Sequence, residues 1–116
     1  MKNYQELKTW QQGIEIVKGI FRLTEALPKT EKYGLISQMT RAAVSIPANI
    51  AEGSSRNSDK DYARFLQIAL GSSFELQTYL VLIKELGWIS SGTEDLELLL
   101  EQEIKMIHAF IKAISQ

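Results

Sequence analysis

The side chains that could do chemistry in this 116-residue chain are few, and their spacing argues against most reactions. There is one histidine, His108, and no cysteine. A di-iron carboxylate centre in a helical protein needs inward carboxylates on four helices and two Glu-x-x-His pairs. Here the residue three before His108 is Lys105, and the nearest upstream carboxylates, Glu103 and Glu101, miss that spacing. Helical nucleases that pair an arginine with a histidine shortly downstream have no counterpart, because no arginine precedes His108 at that distance. A lone histidine cannot assemble a nucleophile triad. Without cysteine there is no disulfide and no thiolate zinc site. The glycine–serine run Gly71-Ser72-Ser73 lies in helical sequence and not in a strand-to-helix loop of the kind that cradles phosphate. The expectation is a chain that is not an enzyme and holds no catalytic residue, metal or cofactor.

What remains is recognition chemistry. Arg56, Lys60 and Arg64 form a local basic cluster, and Lys60 and Arg64 are one helical turn apart. Copied around an oligomer they would make a basic collar, and phosphate affinity grows with the number of such contacts. Asp59 and Asp61 would otherwise neutralise them as an ordinary solvated helix start. Arg41, in a mostly uncharged stretch, is the fourth candidate for a nucleic-acid contact; the competing expectation is a partly buried register pair with Glu75. Trp10, Trp88, Tyr4, Tyr33, Tyr62 and Tyr79 could stack bases, but they are scattered and fit core or interface positions better.

The stretch 37–56, SQMTRAAVSIPANIAEGSSR, carries a second kind of signal. Pro47 sits in the middle of helical sequence, where it removes a backbone hydrogen bond and costs about 3 kcal/mol. Such a proline implies a kink, a tight packing contact or a site. Ser45, Asn49 and Glu52 share one helix face around it. The expected arrangement is a Ser45 hydroxyl bonding backward along the helix and an Asn49 amide bonding across to a neighbour.

These residues require four helices, and no strand-like alternation is present. The first is expected over about Tyr4–Ala26, capped by Asn3 with Glu6 at the capping-box position and stopped by Pro28. Its stripes are Leu7, Trp10, Ile14, Val17, Phe21 and Ile16, Ile20, Leu23, Leu27. The second begins near Thr30 or Glu31 and ends at Gly53 as a left-handed cap; Ala42, Ala43, Ala48 and Ala51 give it a small-residue side. The third runs over about Asp59–Leu86, capped by Ser58 and ended by Gly87, with Gly71 expected to mark a close backbone contact. The fourth runs over about Glu94–Ile114, capped by Thr93, with Leu96, Leu100, Ile104, Ile107, Ile111 and Ile114 as its stripe. Short loops between long helices predict an all-α, up-down-up-down four-helix bundle, one domain over 1–116.

The apolar share, 45%, is generous for so short a chain and favours burial between subunits. Net charge is −1, which does not mark a strong polyanion binder. Residues 1–57 hold eight Lys/Arg against five Asp/Glu, and residues 58–116 hold five against nine, so the two halves have opposite sign. No secretory signal is visible, and the longest apolar run, 79–83, is far short of the ~20 residues of a membrane span. A cytoplasmic chain without a membrane partner is expected.

The pieces LKTWQQGIEIV, LPKTEKYGLISQMTRAAVSIPANIAEGSSR, DYARFLQIALGSSFELQTYL and LGWI, over about residues 6–90, resemble the bacterial S23-type proteins. Those include proteins encoded in intervening sequences of 23S ribosomal RNA genes and the accessory variability protein of diversity-generating retroelements. The resemblance implies a four-helix bundle assembled as a homopentameric ring, no enzymatic activity, and, for some members, RNA or ribonucleoprotein partners. The retroelement protein is markedly basic; this chain is not. The expected role is a homo-oligomeric scaffold or adaptor for RNA or a nucleic-acid-processing protein, the alternative being an adaptor for a protein partner alone.

Overall fold

A computed structural model of the chain describes residues 3–31 and 33–115. Four α-helices account for most of it: α1 (Lys8–Thr24), α2 (Leu35–Ser54), α3 (Asp59–Glu85) and α4 (Glu94–Ile114). Single 3-10 turns occupy Tyr4–Glu6 and Lys29–Glu31, and the described residues contain no strand. At its 27 residues α3 is about 40 Å long by the helical rise, close to the 44 Å long axis of the molecule. α3 is also apolar enough, by length and composition, to cross a membrane, yet Leu66, Leu76 and Ile83 are wholly buried against its neighbours.

Each helix packs on the next in sequence, and α4 packs back on α1; among the described residues the backbones of the diagonal pairs stay more than 8 Å apart at every Cα pair. α2 and α3 run antiparallel, as the pairs Gln38–Tyr79, Ser45–Ser72 and Gly53–Tyr62 show. The core is aliphatic and draws on all four helices. Ile16 and Ile20 share one cluster with Met39, Ile46 and Ile50 of α2, Leu66, Leu76, Leu80 and Ile83 of α3, and Leu100 and Ile107 of α4. The stripe Ile16–Ile20–Leu23–Leu27 is buried, whereas the other expected stripe of α1 is only partly so and ends in an exposed Phe21.

Local details depart from the sequence expectation for identifiable reasons. Asn3 Oδ1 accepts from Gln5 N at 3.0 Å, so it caps the first 3-10 turn, and α1 begins only at Lys8. α1 ends at Thr24, ahead of Pro28. The expected start of α2 falls on the Lys29–Glu31 turn; Lys32 lies outside the described residues, and α2 proper starts after Gly34. Gly53 is not a left-handed cap. It is helical and buried, and a Cβ there would lie 2.8 Å from Tyr62 Cδ1 and 2.9 Å from Phe65 Cβ, so close packing on α3 is what requires glycine. Gly71 is the reverse case: exposed, with nothing within 4 Å of a Cβ position. Ser58 caps α3 through Asp61 N at 3.1 Å, and Gly87, at φ +74°, follows its end as expected. The Thr93 hydroxyl does not cap α4; it donates to the Glu97 carboxylate at 2.8 Å.

Candidate partner surface

Three outward regions carry the recognition residues. The first is a polar groove of about 440 Å³ between α2 and α3, lined by Gln38, Arg41, Ala42, Ser45, Ser72 and Glu75. Small residues on both helices bring the backbones close enough for side chains to bond across. Ser45 Oγ and Ser72 Oγ are 2.8 Å apart. Asn49 Nδ2 donates backward to the Ser45 carbonyl at 2.8 Å and to Ser45 Oγ at 2.9 Å. The two expected roles are therefore exchanged: serine reaches across and asparagine bonds along its own helix.

Arg41 and Glu75 line this groove together but form no ion pair. The Tyr79 hydroxyl takes Glu75 instead, donating to its carboxylate and lying 2.8 Å from Gln38 Oε1. That bond to a negative acceptor holds the phenol proton, with its pKa pushed up to about 12. Arg41 remains exposed, with no ion pair among the described residues.

The second region is the α2–α3 turn, beside a hollow of about 590 Å³ whose floor is the edge-to-face pair Tyr62–Phe110. The basic cluster lies here but is largely occupied. Arg56 Nη2 pairs with Glu52 Oε2 at 2.7 Å and stacks over Phe65 at 4.5 Å. Arg64 lies 3.8 Å from Asp61 Oδ1 and 4.8 Å over the same ring. Glu52 thus works with Arg56 and not with Ser45 and Asn49. Lys60 is exposed.

The third region is apolar. Phe21 is 49% exposed, and with Val44 it borders a hollow between α1 and α2. Val81 (51%) and Leu98 (56%) stand exposed on α3 and α4, and Val81 also lines a groove between those helices. His108 is exposed and lies edge-on to Phe74 at 6.5 Å. No three His, Asp or Glu side chains among the described residues are placed to hold a metal ion.

A profile of the 23S rRNA-intervening sequence proteins matches residues 5–109. The chain belongs to that 23S rRNA-intervening sequence protein family. A solved family relative, a protein of unknown function from the S23 ribosomal protein family of Bacteroides thetaiotaomicron, is 25% identical. It superposes with a TM-score of 0.82 over 90% of this chain and 98% of its own. No curated protein matches the chain.

One residue of this family member escaped the sequence argument. Glu103 is 0% exposed, and neither carboxyl oxygen has a hydrogen-bond partner among the described residues. Burial pushes its pKa up to about 8. The signal was available: Leu96, Leu100, Glu103, Ile107, Phe110 and Ile114 follow alternating spacings of four and three, so Glu103 fills a core slot. Pro47 resolves as a packing contact. It is buried inside an uninterrupted α2, and its Cβ lies 3.2 Å from where a Gly13 side chain would begin.

Proposed function

We propose that this protein is a non-catalytic, cytoplasmic, homo-oligomeric helical scaffold, an up-down-up-down bundle repeated in a ring of five, which docks RNA or a ribonucleoprotein. The observation that carries the assembly is the pair of exposed apolar faces. Phe21 and Val44 lie on the α1–α2 side, and Val81 and Leu98 lie on the opposite α3–α4 side. Two different faces on opposite sides favour a head-to-tail contact, which closes into a ring when the rotation per subunit allows. Side chains as large as these, left exposed on both sides, favour an interface over a bare surface. The number five rests on the family resemblance.

Nucleic acid would meet the α2–α3 turn through Lys60 and the exposed edges of Arg56 and Arg64, and the groove further along the same two helices through Arg41. The family's link to ribosomal RNA genes supports that partner. The alternative, a protein partner alone, is favoured by the engagement of Arg56 and Arg64 with Glu52, Asp61 and Phe65 and by the net charge of −1.

Light scattering on the separated protein tests the assembly. The wild type should run as a multiple of the 13.1 kDa chain, and Phe21→Lys or Val81→Lys should lower that mass while leaving helicity intact. Variants that keep the parental mass would remove these faces from the interface. For the partner, RNA affinity should fall steeply with salt and should drop in Arg56→Ala/Arg64→Ala; binding indifferent to both changes would shift the assignment to a protein partner.

A further inference from the structure

Pro47 and Glu103 each break the rule of their own helix, and the fold brings them together. Pro47 has no N–H, so the carbonyl of Ala43, one turn earlier in α2, loses its helical donor. Ala43 is fully buried, which keeps bulk water from supplying one. Glu103 is buried on α4 without a partner. An unpaired carboxylate is among the least favourable groups to bury; a neutral acid is far less so, and it needs one acceptor for its proton.

Both side chains converge on Gly13 of α1. A Cβ there would stand 3.2 Å from Pro47 Cβ and 3.4 Å from Glu103 Oε2. The missing side chain is what lets a carboxyl from α4 approach α2, although those two helices stand on the diagonal with no Cα pair within 8 Å.

We propose that Glu103 is a proton-binding site: held as the neutral acid, it donates to the Ala43 carbonyl that Pro47 leaves bare, and so ties α4 to α2 across the middle of the fold. One arrangement then accounts for both anomalies, with the proline creating an acceptor and the acid supplying the donor. No other ionisable group competes for the proton. Every other buried residue described on α1, α2, α3 and α4 is uncharged, and Thr9, one turn before Gly13, contributes only a neutral hydroxyl. On α4 itself, Glu101 and Lys105 are exposed and paired with each other at 3.6 Å. The upward displacement of the Glu103 pKa by burial agrees with a neutral group at pH 7. Once the proton leaves, carboxylate and carbonyl are two acceptors facing each other, so the tie loosens as pH rises.

Infrared difference spectra of the wild-type protein test this directly. A protonated-carboxyl C=O band should be present at neutral pH, should disappear in alkali, and should be missing in Glu103→Gln. Pro47→Ala returns an N–H to the Ala43 carbonyl. It should therefore shift that band toward the frequency of a free acid and lower the pH at which the band is lost. Absence of the band at neutral pH, or a band and midpoint indifferent to Pro47→Ala, would overturn the proposal. If either variant does not fold, the carbonyl carbon resonance of Ala43 in the wild type decides instead. It should titrate with Glu103 between about pH 6 and about pH 10, and a flat profile would equally overturn it.

Discussion

The α2–α3 seam and the α1–α4 seam solve the same packing problem in opposite ways. Along α2–α3 polar groups sit on the rim, where Ser45 bonds with Ser72, Asn49 with Ser45, and Tyr79 with Glu75, while Arg41 faces solvent. Glycine at position 53 lets Tyr62 and Phe65 close on α2. Along α1–α4 the rim bond between helices is Gln12 Nε2 to the Leu99 carbonyl at 3.1 Å, while Thr9 and Glu103 are turned inward without partners. Polar groups on a rim fix register at little expense, because water can serve any bond that fails. Polar groups inside make the fold depend on protonation.

The sharpest way to break this contrast is alkali. Glu103 has a folded-state pKa of about 8 against an ordinary 4.5. Its contribution to stability is therefore complete below about pH 4.5, declines as pH rises toward 8, and is gone above it. At about 1.4 kcal/mol per pKa unit this amounts to a few kcal/mol, the largest effect expected here. Chemical denaturation of the wild type and of Glu103→Gln across this range should give a difference with that slope. Parallel profiles would show that the group does not titrate in the fold.

The two seams should also differ in their tolerance of a methyl group. At Gly53 a Cβ meets aromatic ring carbons and Phe65 Cβ below 3 Å, so Gly53→Ala should destabilise by about 1–3 kcal/mol through overpacking. At Gly19 the nearest atom, 2.9 Å away, is the far methyl of Leu96, which can rotate aside. There the helix-propensity gain of alanine, about 1 kcal/mol, should make the change neutral or slightly stabilising. Equal losses at the two positions would erase the distinction. A smaller loss than at Gly53 belongs to the rim: Ser72→Ala should cost about 0.5–1.5 kcal/mol in thermal unfolding, because Ser45 keeps its bond from Asn49.

Much of this was legible from the sequence. Periodicity alone located four helices, and Leu100, Ile104 and Ile107 of the expected α4 stripe are buried, because the 3.6-residue period leaves little freedom over such lengths. Partner choice was far less legible. Glu75 lies level with Arg41, but the nearer Tyr79 hydroxyl on its own helix took it. Gly53 and Gly71 look alike in sequence and differ completely in what surrounds them. Glu103 was passed over because a charged residue reads as surface, although its heptad position said core. The basic cluster could be counted in sequence, but its engagement by Glu52, Asp61 and Phe65 depends on side-chain reach.

In the proposed assembly the exposed apolar faces are interfaces between copies of this chain. Native mass spectrometry of the protein purified without nuclease tests it most directly. The expected result is a five-fold multiple of the chain mass, with additional nucleic-acid mass if RNA is the partner. A monomer of 13.1 kDa at micromolar concentration would contradict it.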